Sequence, residues 1–220
     1  MYTLCYYFLL FLVFSVLGWI MECTVILITQ RRLTNRGFLI GPYLPIYGVA
    51  SITMILCLTR FKNNIFLLFL LSVLLCSTIE YLTSYLMEKL FKARWWDYSQ
   101  KKFNLQGRIC LQNALAFGIM GVILVKYANS LVTNSLDKIP HQVLIYIALA
   151  FFIVFIIDVC LSFCIMNRIK DTITSIMKED SSSEMTSKVK KVLKEKATFF
   201  KKRLLNAFPD FKIPTFKRKK

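Results

Sequence analysis

Three carboxylates interrupt long apolar stretches of the chain: Glu22, Glu80 and Asp158. Ionised groups are costly in hydrocarbon, and the default expectation for one is a role in binding or in ion or proton movement. Asn113 offers an amide in a fourth apolar stretch, and Arg36 and Arg108 flank the set from two basic loops. Asn35, Asp97 and Asn104 lie in those same loops. Together these residues are candidates for a polar layer that takes a ligand, an ion or a proton, with Glu22 and Glu80 preferred over Asp158. The competing expectation is structural: each acid pairs with Arg36, Arg94 or Arg108, and the network only ties the bundle together.

The elements that must position them are apolar helices. Five stretches approach the roughly 20 residues needed to cross a bilayer: Thr3–Ile28, Leu39–Leu58, Asn64–Met87, Ile109–Tyr127 and Val143–Met166. At about 1.5 Å per residue, Glu22, Glu80 and Asp158 fall roughly 24 to 28 Å from one side, near the opposite surface of the core. Asn113 reaches a similar level. Ser15, Gly18 and Glu22 share one helical stripe, as do Ser77, Glu80, Ser84 and Glu88, while Ala114, Gly118 and Gly121 form a seam that admits a neighbouring backbone. In the second stretch Gly41, Pro42, Pro45 and Gly48 crowd the beginning, so a bent or partly re-entrant approach is the alternative to a full span.

Loop charge sets the expected orientation. The first and third loops carry Arg31, Arg32, Arg36, Lys89, Lys92, Arg94, Lys101, Lys102 and Arg108; the second and fourth carry only Arg60, Lys62, Lys126 and Lys138. Positive loops stay inside, which predicts an N-out, C-in bundle. The expected fold is therefore all-α: a polytopic bundle of about five transmembrane helices over residues 1–168, followed by a basic cytoplasmic tail over residues 169–220. The first stretch lacks a basic leader and is long for a signal peptide, so it is expected to be retained.

The net charge of +17 over 220 residues divides almost evenly between bundle and tail. A body this apolar makes anionic lipid the simpler partner, and nucleic acid is not expected. In the tail Val189, Val192, Leu193, Ala197, Phe200, Leu204 and Phe208 recur near helical spacing among lysines, predicting an amphipathic helix on the inner leaflet. The seven cysteines are odd in number and show no C-x-x-C pair, and His141 is the sole histidine. Neither a disulfide framework nor a metal site is expected, and no cofactor is called for.

The loops are shaped. "TNRGFLIGPYLPIYG" is punctuated by Gly and Pro, and "RWWDYSQKKFNLQGR" holds Trp95, Trp96 and Tyr98, residue types that anchor at headgroup level. Asn104 to Arg108 has the composition of a tight turn. It would place Arg108 at the mouth of the polar layer, with the Asp97–Arg108 part roofing it.

The motifs "GWIMEC", "NRGFLIGPYLPIYG", "EYLTSYLMEKLF", "RWWDYS" and "NLQGRICL…FG" resemble, in order, the series found in the putative ABC-transporter type IV family of bacterial membrane proteins. The resemblance spans Gly18 to about Gly121 and leaves out the tail. Ala50 stands where that family would have glycine, and "QNALAFG" matches its continuation loosely. The resemblance implies a multi-pass permease-like subunit of a bacterial cell membrane. The chain has no G-x-x-x-x-G-K-[ST], so an ATPase would have to be a separate subunit, and the small size favours that or a homo-oligomer. Two other classes stay open: a membrane-embedded enzyme acting on a lipid or isoprenoid, for which no nucleophile-and-base or metal motif is present, and a structural or regulatory membrane subunit.

Overall fold

The computed structural model describes residues 1–179, 203, 206–208 and 212; most of the tail, including nearly all of the expected surface helix, lies outside them. The described chain is helical: α1 (Tyr2–Gln30), α2 (Pro45–Leu58) ending in a 3-10 turn, α3 (Ile65–Phe91), α4 (Leu111–Ile123), α5 (Asn129–Leu136) and α6 (His141–Glu179). A π-helical segment, Leu124–Ala128, joins α4 and α5 without a break, so the two act as one rod. Tyr2–Gln30, Ile65–Phe91, Leu111–Leu136 and His141–Ser175 are long and apolar enough to cross a membrane. The protein is a multi-helix membrane protein.

The second apolar stretch is different. Its helix begins only at Pro45, which takes the first helical turn where the missing N–H costs nothing. Fourteen residues rise about 21 Å, short of a full hydrocarbon core. Leu39–Leu44 is not helical, yet Leu39 and Leu44 are buried and the N–H of Leu44 donates to the carbonyl of Ser15, midway along α1, at 3.0 Å. The chain thus folds back into the bundle before α2 starts. Helix α6 also outruns its expected end at Met166, and the α4–α5 rod outruns Tyr127.

Close seams set the packing. At Gly48 a Cβ would come within 2.3 Å of the Ser15 hydroxyl, and at Gly18 within 2.4 Å of the Tyr47 ring, so α1 and α2 meet backbone to side chain. Gly118 and Gly121 do the same for α4 against Phe69, Val73 and Ser72 of α3. Helix α1 also packs on α6. At the end of the bundle formed by residues 31–44 and 92–110, a core cluster of Phe91, Ala93, Trp95, Met166, Ile169 and Ile173 joins α3 to α6, with Phe208 of the tail packed on it.

Both α1 and α3 stop at that end with a basic residue in the left-handed conformation: Arg31 (φ 51°) and Lys92 (φ 56°). Their N–H groups return to Leu27 and Glu88, closing the last turn. Between α3 and α4 a two-stranded hairpin, β1 (Asn104–Leu105) and β2 (Ile109–Cys110), turns through Gln106 (φ 53°) and Gly107 (φ 67°). A side chain at position 107 would be strained by that backbone and would strike the Asp97 carboxylate at 2.4 Å.

Candidate functional site

Glu22 on α1 and Glu80 on α3 are brought to one place by two tyrosines. The Tyr47 hydroxyl, from the first turn of α2, donates to Glu22 Oε1 at 2.7 Å. The Tyr98 hydroxyl, from the 92–110 loop, donates to Glu80 Oε1 at 3.3 Å. The two carboxylates are near enough to repel one another, and Tyr47 feels Glu22, Glu80 and Tyr98 together. Burial and the neighbouring Glu80 and Glu22 carboxylates push the Tyr98 hydroxyl well above its ordinary range, so it stays a proton donor.

The pair is asymmetric. Glu22 is half-buried and meets the Arg36 guanidinium at 3.5 Å. Glu80 is 6% exposed, and its Oε2 is buried with no hydrogen-bond partner among the described residues. The loop arginines Arg94 and Arg108 are engaged elsewhere: Glu88 receives Arg94 at 2.8 Å and Arg108 at 3.2 Å. Arg108 is further held by Ser84 at 3.3 Å and lies over the rings of Tyr81 and Tyr85. It therefore sits on the Glu80–Ser84–Glu88 stripe of α3, nearer the loops than Glu80 is.

Asp158 belongs to a second cluster. Its carboxylate accepts the N–H groups of Ile40 at 2.8 Å and Gly41 at 2.7 Å, the Ser162 hydroxyl at 2.9 Å, and the Tyr43 hydroxyl. Four donors fill a carboxylate's acceptor sites, and two of them are backbone groups of the re-entrant segment. Non-helical backbone at membrane depth is tolerated only when such groups are satisfied inside the protein.

The remaining candidates divide. Asn35 accepts the Trp19 indole N–H at 2.8 Å, which ties the first loop to α1 near Glu22. Asn104 fastens its own loop, donating to the carbonyls of Ser99 and Lys101 and accepting the Gly107 N–H. Asp97 accepts from Ser99 and from Lys212 of the tail; burial alone would raise its carboxyl, but these donors outweigh it and hold the group below its ordinary value. Asn113 is half-buried on α4 and makes no side-chain hydrogen bond among the described residues. Trp95 is 3% exposed inside the core cluster, which leaves it almost no surface for lipid. Trp96 is partly buried and donates its indole N–H to the Arg108 carbonyl at 3.1 Å. Sequence reasoning missed Tyr47 and Tyr43 and read Tyr98 as an anchor. The available signal was Gly18, one turn before Glu22 on the same face of α1, which leaves room for a ring.

Residues 9–163 match the model of the putative ABC-transporter type IV family. The chain belongs to that family. As a member of the putative ABC-transporter type IV family it is a membrane protein related to transporters, and the match runs from within α1 into α6, hence over every residue of both clusters. No curated protein and no solved structure matches the chain.

Proposed function

We propose that the chain is a permease-like subunit of a bacterial cell-membrane transporter, in which Glu22 and Glu80 receive a polar or cationic ligand, an ion or a proton. The observation that carries this is the Glu80 Oε2 atom, buried in the bundle beside a second carboxylate and without a described donor. A carboxylate in that setting gains most from a cation or a proton. Tyr47 and Tyr98 orient the two groups, and Arg36 balances one of the two charges. Asp158 has a different part: it holds the re-entrant segment that places Tyr47. ATP hydrolysis belongs to a separate subunit. The two basic loops and the tail face the cytoplasm, with the amino terminus outside; reagent labelling of cysteines placed at Lys62 and Lys101 should find them on opposite sides.

The test is Glu80→Gln and Glu22→Gln, compared for thermal stability in detergent and for a growth or uptake phenotype. The expected outcome is a protein that inserts and melts normally but has lost function. If Glu22 serves only to pair with Arg36, Glu22→Gln and Arg36→Gln should both lower stability, and function should fall only as far as stability does. Stable variants with full activity would sink the site.

A further inference from the structure

The tail is seated on the loops that frame the site. Lys212 and Arg94 form an antiparallel backbone bridge with N–H···O distances of 2.8 and 2.9 Å, and the Lys212 ammonium reaches Asp97. Arg203 donates to the Leu39 and Gly37 carbonyls of the re-entrant segment. Phe208 packs on Trp95 with ring centroids 5.2 Å apart, and Ala207 is fully buried.

Arg36 joins the tail to the site. Its guanidinium contacts Glu22, donates to the Ala207 carbonyl and lies 5.7 Å from the centre of the Phe208 ring. A seated tail therefore fixes the cation that occupies Glu22. Withdrawing Ala207 and Phe208 removes two of the three contacts that hold Arg36 there among the described residues.

The seat offers the tail few direct ion pairs. Among the described residues Lys212 pairs directly with Asp97, while Arg203 hydrogen-bonds only carbonyl oxygens and feels the Asp158 carboxylate, whose acceptor sites are already filled, at longer range. The sequence beyond it ends Lys217, Arg218, Lys219, Lys220. An anionic bilayer surface attracts each such residue, and Phe208 would partition into its interface. The same side chains cannot serve both.

We propose that the segment bearing Arg203, Ala207, Phe208 and Lys212 is an autoinhibitory strap that keeps Arg36 on Glu22, and that anionic lipid at the inner leaflet releases it. The consequence for transport rests on Glu22 being a ligand group; the strap's position does not.

Carbodiimide modification of Glu22, read by mass spectrometry on the full-length protein in nanodiscs, tests this. Labelling should be low in phosphatidylcholine and rise about fivefold when phosphatidylglycerol is included, the factor one basic residue gains at such a surface. Phe208→Ala should raise it in phosphatidylcholine alone. Arg36→Gln should give high labelling in both bilayers. Equal labelling of the unaltered protein in the two bilayers, or a lipid dependence that survives in Arg36→Gln, would overturn the strap while leaving the Glu22 and Glu80 site standing. An activity unchanged by Glu22→Gln would do the reverse.

Discussion

Asp158 on α6 closes the backbone of a segment more than a hundred residues earlier: its two oxygens accept the N–H groups of Ile40 and Gly41. No isolated helix would need that carboxylate. The need arises because Leu39–Leu44 enters the bundle without a helix of its own, so its donors must be met by a side chain.

Asp158→Asn should therefore destabilise the protein strongly. The amide keeps one oxygen but turns an NH2 group toward donors, leaving at least one part-buried N–H unmet, at a cost of about 1–3 kcal/mol. Ser162→Ala removes a single hydroxyl donor and should cost about 1 kcal/mol. Thermal unfolding in detergent checks both, and equal melting of Asp158→Asn and the unaltered protein would show that the segment is held by packing alone.

Asp97 supplies a pH test of the loop and tail. Its carboxyl titrates below the ordinary value of 3.8 because Lys212 and Ser99 donate to it against the effect of burial. A depressed folded value means stabilisation that is complete above the ordinary carboxylate range and lost as pH falls through the lower value. Hydrogen-exchange protection of the Arg94–Lys212 bridge, corrected for intrinsic rates, should thus stay level from neutral pH to about pH 4 and fall only below it. In Asp97→Asn the protection should be weaker at neutral pH and nearly independent of pH.

Much of this was legible in the sequence, for reasons that differ by element. Glu22 and Glu80 could be singled out because a charge in an apolar run is rare and expensive. The Gly118–Gly121 seam could be read because small residues one turn apart have few other uses in a membrane helix. The start of α2 was less clear: Gly41, Pro42 and Pro45 announce irregular backbone, but only long-range contacts, Leu44 to Ser15 of α1 and Ile40 and Gly41 to Asp158 of α6, decide that the chain re-enters. Trp95 misled because composition cannot tell a tryptophan at a lipid surface from one under a loop. Arg108 was expected at the mouth of the layer; its ion-pair partner is Glu88, because the hairpin turn at Gln106 and Gly107 aims it along α3.

Tyr98 joins the 92–110 loop to Glu80, and its hydroxyl offers a way to ask whether loop and acid act as one unit. Tyr98→Phe preserves the ring and removes only the donor on Oε1. If the loop's contribution passes through that hydrogen bond, Tyr98→Phe should reduce function in the same direction as Glu80→Gln. The double variant should then be no worse than Glu80→Gln alone, because residues sharing one interaction are not additive. At 3.3 Å the bond is long, so the stability cost of Tyr98→Phe should stay near 1 kcal/mol, too little to unfold the bundle. Losses that simply add would mean that Tyr98 acts through its packing in the loop, and that Glu80 works without it.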